Sequence, residues 1–183
     1  GIEAAKQEKN DAQMDAAIRL DVMLHAFLFT QSGIPVLYSG DEIGQLNDYS
    51  YHENIFKRED SRYLHRGDFS WKKATKRLKK GTIQKRLFDA ITNLAALRAA
   101  HRVFENNADT WLIDTGNIHI LGIGRYYRGE KLLAYFNFSD LDERVVVPET
   151  EEYSDLVTGI EKKEKEFVLT SHDFIWLIAK LSA

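Results

Sequence analysis

Two stretches of the chain carry apolar residues at the three- and four-residue spacing of one helix face. This periodicity predicts a helix from Asp11 to about Gln31 and a second helix from about Thr82 to Ala100. Asn10 or Asp11 is a suitable N-cap for the first helix. The second half of that helix is apolar on both sides, which predicts packing on more than one side. The face positions include Ile18 and Val22 in the first helix, and Ile83, Leu87, Leu94 and Leu97 in the second.

A short apolar run follows the first helix. Ile34–Tyr38 lies between Gly33 and a polar, glycine-containing segment at 39–44. Such a run predicts a buried strand, with Pro35 near its start, where a missing backbone N–H is tolerated. Residues 45–81 then show little periodicity, which predicts a long loop, and loops of that length inside a fold are usually functional or mobile.

From Asp109 onward the pattern changes to short runs of the kind that form strands. Turn signals separate these runs, among them Thr115-Gly116-Asn117, Arg128-Gly129-Glu130 and Pro148. Six or seven strands at close spacing, with no helix between them, predict an antiparallel sandwich. The last strand is apolar on both faces, so we expect it to be central. The strands are expected near 111–114, 118–127, 131–138, 143–147, 153–157, 165–169 and 173–180.

Composition limits the class of protein. The chain has 183 residues, of which 44% are hydrophobic and 29% charged, with a net charge of −3. These values predict a globular protein of one domain, or one and a small second one, and exclude a disordered chain. With no Cys, disulfides and thiolate chemistry are excluded, and a cytoplasmic location is the natural expectation. No membrane-spanning stretch and no secretory signal is visible. Because the chain opens with Gly1, we expect it to be processed or cut from a longer protein.

The small net charge conceals a basic region. Residues 57–86 carry 12 Lys or Arg against 3 Asp or Glu. The segment 72–86 therefore has two interpretations: a solvated surface, or a weak binding site for an anionic polymer. No sequence signature of a nucleic-acid-binding fold supports the second, so we expect no nucleic-acid partner.

The histidine and aromatic residues suggest structure rather than cofactors. The six His show no close metal-ligand spacing, and no calcium-binding cluster can be assembled, so we expect no metal and no cofactor. Trp111, Phe167 and Trp176 are expected in the core of the sandwich. An exposed aromatic pair on that domain would be the exception, because such a pair can serve as a platform for a sugar.

The segment after the predicted strand 34–38 is the first candidate site. Side chains just past the end of a strand line the active sites of many α/β proteins, which points to Asp41 and Glu42. The loop behind them holds carboxylates, guanidinium groups and aromatic rings, which together suit sugar recognition. A turn cap and a structural ion pair are the alternative interpretation of the two acidic residues. The loop residues are Asn47, Asp48, Tyr49, Tyr51, His52, Glu53, Asp60, Arg62, Tyr63, His65, Arg66 and Trp71.

Three of these segments resemble a known family. Residues 33–44, GIPVLYSGDEIG, resemble the eighth barrel strand and following turn of glycoside hydrolase family 13, the α-amylase family. The segments 46–49, LNDY, and 59–66, EDSRYLHR, resemble its amylosucrase branch more specifically. The resemblance runs over nearly the whole chain.

The resemblance implies an α+β chain that is the remnant of an (α/β)8 barrel followed by an antiparallel β-sandwich. Residues 1–105 would be the C-terminal part of the barrel, with the long loop 45–81, and 106–183 the sandwich. The predicted helices would then be the seventh and eighth of the barrel, and 34–38 its eighth strand. The family uses a retaining mechanism with a carboxylate nucleophile and a second carboxyl as acid and base. These groups follow earlier strands, so we expect no catalytic residue in this chain and no turnover by it alone.

The resemblance also implies roles for five residues. Arg62 would form a salt bridge that closes the sugar pocket of the parent enzyme, and a bidentate pair would fix its geometry. Asp41 and Glu42 would support the mouth of the barrel, and His65 and Arg66 would either line the pocket or form surface ion pairs. The implied ligand is sucrose or an α-1,4-glucan, which an amylosucrase-like parent would cleave or use to extend a glucan.

Two alternatives and one physical expectation remain. The sandwich could instead be a carbohydrate-binding or interaction module, and segment 72–86 could bind an anionic polymer. We further expect the chain to self-associate, since apolar faces of helix 11–31 and strand 34–38 would otherwise be uncovered.

Overall fold

The computed structural model describes residues 1–147 and 152–179 of the chain. It contains the helices α1 (Ile2–Glu8), α2 (Asp11–Thr30), α3 (Trp71–Ala74) and α4 (Ile83–Ala100). Its strands are β1 (Asp109–Ile113), β2 (Ile120–Tyr127), β3 (Glu130–Asn137), β4 (Glu143–Val146), β5 (Tyr153–Asp155), β6 (Glu161–Lys162), β7 (Glu166–Leu169) and β8 (Phe174–Ala179).

The two predicted long helices are confirmed as α2 and α4, and each begins at a polar cap. The Asn10 side chain accepts a hydrogen bond from the Gln13 backbone N–H at 3.0 Å, and Thr82 Oγ1 accepts one from Lys85 at 3.2 Å. These bonds satisfy N–H groups that the first turn of a helix leaves without partners. Residues 45–81 form short 3-10 turns and the single-turn helix α3, which agrees with the predicted long loop. Helix α1 was not predicted.

The predicted buried strand at 34–38 is wrong. The segment is extended but belongs to no sheet, and Ile34 and Val36 are 91% and 78% exposed. A strand is stable only when its backbone groups pair with a neighbour. Within the described residues no strand lies beside this segment, so its apolar side chains stay in solvent. The barrel remnant that the family resemblance implies is therefore not shown by this chain.

The β-region consists of two antiparallel sheets. Six strands follow the order β1-β2-β3-β8-β5-β6, and β4 pairs with β7 in a second sheet. The predicted central position of β8 is confirmed, since it lies between β3 and β5. Strand β6 was not predicted. The predicted turn at Pro148 and the predicted end of the last strand at Lys180 lie outside the described residues.

The six-stranded sheet has a separate core on each face. On one face, Leu133, Tyr135 and Leu177 pack with Val145 and Leu169 of the small sheet, which is the sandwich arrangement that was predicted. The opposite face is covered by helices rather than by strands. Its core is formed by Met23, Ala26 and Phe29 of α2, Ile91 and Leu94 of α4, and Leu132, Phe136 and Trp176 of the sheet.

The chain divides into two compact units. The first unit contains 1–18 and 36–89, and the second contains 19–35 and 90–183. Helices α2 and α4 therefore each contribute to both units. The expected domain boundary between residues 105 and 106 stays a prediction.

In the second unit, two arginines hold the C-terminal end of α2. Arg98 donates hydrogen bonds to the carbonyls of Phe29 and Gln31, and to that of Gly33 at 2.8 Å. The fully buried Arg125 donates to the carbonyl of Thr30 at 2.9 Å, and also to those of Val103 and Glu105. Burial lowers the pKa of both guanidinium groups. Two cations at this end also complement the helix dipole.

The expected core aromatics differ in position. Trp176 is fully buried and its indole N–H donates to Thr30 Oγ1 at 2.9 Å, as its core position requires. Phe167 is partly buried and packs against the core beneath the small sheet. Trp111 is 37% exposed, so its expected core position is wrong. It lies on β1, an edge strand, where only one neighbour is available to cover it.

Candidate functional site

The candidate site is built on the turn that follows the extended segment 34–38. Residues Asp41–Ile43 form a 3-10 turn between Gly40 and Gly44, whose φ values of 108° and 58° are in the left-handed region that favours glycine. Gln45 N–H donates to the Gly40 carbonyl at 2.9 Å and closes the turn. The buried side chain of Ile43 anchors it, so the polar side chains on either side are held in a fixed loop.

A pocket of about 170 Å³ lies beside this turn, in the first unit. It brings together two of the predicted site residues, Asp41 and His65, which are 24 positions apart in the sequence. The other residues that line it are Tyr38, Ser39, Gln45, Leu46 and Asn47. Most of these side chains carry hydrogen-bonding groups, so the pocket is suited to a polar ligand.

His65 is oriented by its neighbours. Its Nδ1 lies 3.0 Å from Asn47 Oδ1, while Asn47 Nδ2 donates to the carboxylate of Glu3 at 3.3 Å. Because the Asn47 amide must direct its NH2 group at that carboxylate, its oxygen faces the ring and Nδ1 carries the proton. In this tautomer the ring acceptor is Nε2. Tyr49 OH donates to Glu3 at 3.2 Å and fixes that carboxylate.

Gln45 supplies an acceptor that the protein does not use. Its Nε2 donates to the Gly67 carbonyl at 3.0 Å, which sets the orientation of the amide. Its Oε1 is buried and receives no hydrogen bond from the described residues. A buried acceptor without a donor costs free energy.

The other predicted site residues do not line the pocket. Glu42 turns back on its own loop, where its carboxylate accepts a hydrogen bond from Gly40 N–H at 2.9 Å. Arg62 forms a two-point contact with Asp60, at 2.8 Å from Nε to Oδ1 and 2.7 Å from Nη2 to Oδ2. Arg66 adds a positive charge that helps to lower the pKa of Asp60. In this chain the three residues stabilise the loop, and the pocket-closing role of Arg62 stays a prediction.

Sequence reasoning did not single out Gln45 and Asn47. Asn47 belongs to the polar loop whose composition suggested sugar recognition, and Gln45 follows Gly44 directly. Glu3 had no signal, because it lies on α1, 44 positions before Asn47.

The loop that carries this site also holds carboxyl groups with shifted pKa values. The carboxyl groups with shifted pKa values near it are Asp48 and Asp60, and both values are lowered. Hydrogen bonds from Ser50 lower that of Asp48, and the Arg62 side chain lowers that of Asp60 to about 2. Both groups are therefore ionised at neutral pH and have no proton to donate. Within 1–147 and 152–179, no three His, Asp or Glu side chains meet as a metal site.

The described part of the chain has two other regions with cavities, one in the second unit and one at the basic segment 72–86. A cavity of about 600 Å³ in the second unit is lined by Phe29, Pro35, Arg98 and Phe104, among others, and includes none of the predicted site residues. The basic segment 72–86 exposes most of its lysines, and Lys73 and Lys76 line a cavity of only about 50 Å³ with Lys6. Among the described residues no helix is both long and apolar enough to cross a membrane.

The chain is similar in sequence and in structure to known proteins. No protein-family model matches the chain. It is 24% identical over 175 residues to glucosylglycerate phosphorylase of Escherichia coli (strain K12), covering 94% of this chain and 30% of that protein. Its structure resembles an α-amylase of Geobacillus thermoleovorans complexed with acarbose, with a TM-score of 0.64 and 18% identity, covering 91% of this chain and 34% of the other.

The structure also resembles that of a trehalose-6-phosphate hydrolase of Bacillus licheniformis, with a TM-score of 0.62 and 18% identity. The match covers 88% of this chain and 39% of the hydrolase. These structures share the fold of this chain. The chain spans about a third of the length of each of these proteins.

Proposed function

We propose that this chain is the C-terminal portion of a retaining, α-glucosyl-transferring enzyme of the α-amylase family. The similarity to glucosylglycerate phosphorylase over 94% of the chain carries this proposal, because it covers both compact units. The polar pocket beside Asp41 supports it. Carboxylate and amide side chains such as those of Asp41 and Asn47, which line this pocket, are groups that bind sugar hydroxyls. In this proposal the chain forms part of a sugar-binding wall, and the catalytic carboxyls belong to the rest of the enzyme.

The finer assignment that we propose is an amylosucrase-like reaction, in which sucrose donates a glucosyl group and fructose leaves. The segments 46–49 and 59–66 support this branch. The E. coli relative favours a different acceptor, inorganic phosphate, because that protein is a phosphorylase. The acceptor of the glucosyl group therefore distinguishes the two candidate reactions. It is a glucan or water in the amylosucrase-like reaction and inorganic phosphate in the phosphorylase reaction.

The first test is turnover by the chain alone. Incubated with sucrose, with or without phosphate, it is expected to release no fructose above a buffer blank. The reason is that a retaining mechanism needs a carboxylate nucleophile and a second carboxyl as acid and base, and the proposal assigns both to the rest of the enzyme. Fructose release proportional to the chain concentration would overturn the assignment of the catalytic groups to another part of the enzyme.

The second test uses the full-length gene product. We expect fructose release from sucrose, with glucose 1-phosphate appearing only if phosphate is the acceptor. Asp41→Asn is expected to raise KM about tenfold, since a hydrogen bond to a charged group contributes about 1.5–3 kcal/mol. Glu59→Gln is the matched control, because Glu59 is exposed and pairs only with its neighbour Arg58 in the structure as described. Equal effects of the two substitutions would contradict the pocket assignment.

A further inference from the structure

Trp111 and Tyr126 lie together on one face of the six-stranded sheet. In the register of β1 and β2, Trp111 is opposite Gly124 and Asp109 is opposite Tyr126. Directly paired residues and those two positions apart share a face, so these four residues are on the same side. Trp111 and Tyr126 are 37% and 44% exposed, so the small sheet β4-β7 leaves both rings accessible.

The indole of Trp111 lies flat on Gly124. A methyl group added at Gly124 would lie 2.0 Å from Cε2, 2.3 Å from Cζ2 and 2.5 Å from Nε1 of the indole. Cε2 is a ring-fusion carbon and is set back from the edge of the indole between Nε1 and Cζ2. If the indole met the added methyl group edge-on, Nε1 and Cζ2 would therefore be closer to that group than Cε2. The nearest approach at Cε2 therefore means that one ring face covers the glycine. The opposite face is turned away from Gly124, and Trp111 as a whole is 37% exposed.

This arrangement has the chemistry of a sugar platform. A flat aromatic face packs against the apolar C–H face of a pyranose, and its position is fixed before the ligand arrives because Gly124 leaves no room below it. Tyr126 is two residues further along β2, roughly 7 Å from Gly124 at the rise of a strand. It is thus placed to contact the next sugar residue. Asp109, exposed beside it, offers a carboxylate to sugar hydroxyls.

We propose that Trp111, Tyr126 and Asp109 form a surface binding site for an α-1,4-glucan. The site lies wholly in the second unit, and the pocket at Asp41 lies wholly in the first. The choice of an α-glucan as ligand rests on the proposed function. The platform itself rests on the geometry of Trp111 and Gly124.

The test is titration of the 183-residue chain with maltoheptaose, followed by calorimetry and by the NMR signal of the Trp111 indole N–H. We expect saturable binding and a shift of that signal. Trp111→Ala is expected to weaken binding at least tenfold, whereas Trp111→Phe, which keeps a flat ring, retains part of it. Trp71→Ala is the matched control, because Trp71 is also exposed but lies in the first unit.

Gly124→Ala tests the platform more directly, since it keeps Trp111 but displaces the indole ring. It is expected to weaken binding about as much as Trp111→Ala. The near-ultraviolet circular dichroism of the buried Trp176 reports whether each variant is folded. Binding that survives both substitutions in folded protein, or that Trp71→Ala weakens equally, would overturn the platform.

A parallel titration with cellohexaose, a β-1,4-glucan, separates the platform from the choice of ligand. Tighter binding of maltoheptaose supports the α-glucan site. Binding of cellohexaose alone would overturn the α-glucan assignment and would count against the proposed function as well. Binding of neither sugar would overturn the platform and leave the proposed function unaffected.

Discussion

Asp60 and Arg62 show how single residues shape the loop that carries the site. Asp60 caps a 3-10 turn by accepting hydrogen bonds from the backbone N–H and from the guanidinium of Arg62. The Arg62 side chain is the main reason that the pKa of Asp60 falls from 3.8 to about 2. A lowered pKa means that the contact stabilises the fold above pH 3.8 and loses this effect as the pH falls through about 2.

Substitution of Arg62 by Gln is therefore expected to raise the pKa of Asp60 towards 3.8, measured by NMR titration of its carboxyl carbon. Asp48 provides the internal control, because Ser50 rather than Arg62 lowers its pKa. We expect the Asp48 titration to be unchanged. An unaltered Asp60 titration in the variant would show that Arg62 is not the cause of the shift.

For single residues, the sequence predicted which residue types belong to the site better than it predicted the contact that each one makes. Asp41 and His65 line one pocket, since they belong to segments that the loop folds together. Glu42 and Arg62 do not, because each has a nearer partner: Gly40 N–H for Glu42 and the Asp60 carboxylate for Arg62. Competition between local and distant partners depends on side-chain geometry, which residue types and spacing do not contain.

Among the secondary-structure elements, α2 depends most on buried polar contacts. Its last carbonyls have no partners within the helix, and Arg98 and Arg125 supply donors for them. Arg125 is the harder of the two to replace, because its Nε, Nη1 and Nη2 donate to three different carbonyls. Lys could not replace this fork of donors, since its single ammonium has no planar geometry.

Substitution of Arg125 by Met is expected to lower the free energy of unfolding by at least about 3 kcal/mol, because three acceptors would lose a buried donor at about 1–3 kcal/mol each. Arg144→Met is the matched control. Arg144 pairs with Glu166 in solvent, where an ion pair contributes little to the free energy of unfolding. Urea denaturation followed by circular dichroism measures both. Similar losses in the two variants would contradict this account of the α2 terminus.

The pattern of apolar positions predicted the elements that are stabilised locally or by an obvious neighbour. Helices α2 and α4 form their own hydrogen bonds, and the antiparallel strands β2 and β3 follow one another directly. The segment 34–38 has the composition of a strand but no neighbour in the described residues. Strand formation depends on a partner, so composition alone predicted it wrongly.

For the whole molecule, the exposed apolar segment 34–38 has a consequence in solution. Its backbone groups and its apolar side chains are available to a second copy of the chain, in the manner of an exposed sheet edge. Self-association through this segment follows as an expectation. Within the described residues of a single copy, no neighbouring strand pairs with this segment.

Sedimentation at micromolar concentrations is expected to show a dimer or larger species. Ile34→Lys should shift it to the monomer, since a charge on an edge opposes pairing. Ile118→Lys is the control, because Ile118 is 97% exposed and lies in a turn outside the segment. A wild-type monomer, or equal effects of the two substitutions, would contradict association through 34–38.

The packing of the six-stranded sheet also determines which piece of the chain can be expressed by itself. Met23 and Phe29 of α2, with Ile91 and Leu94 of α4, cover the sheet face that contains Leu132. A polypeptide that began at residue 106 would leave this face bare and prone to aggregate. The smallest soluble piece with the sheet therefore needs 19–35 and 90–105 as well. Because these segments are separated by 36–89, it calls for a short linker between residues 35 and 90 rather than a simple truncation.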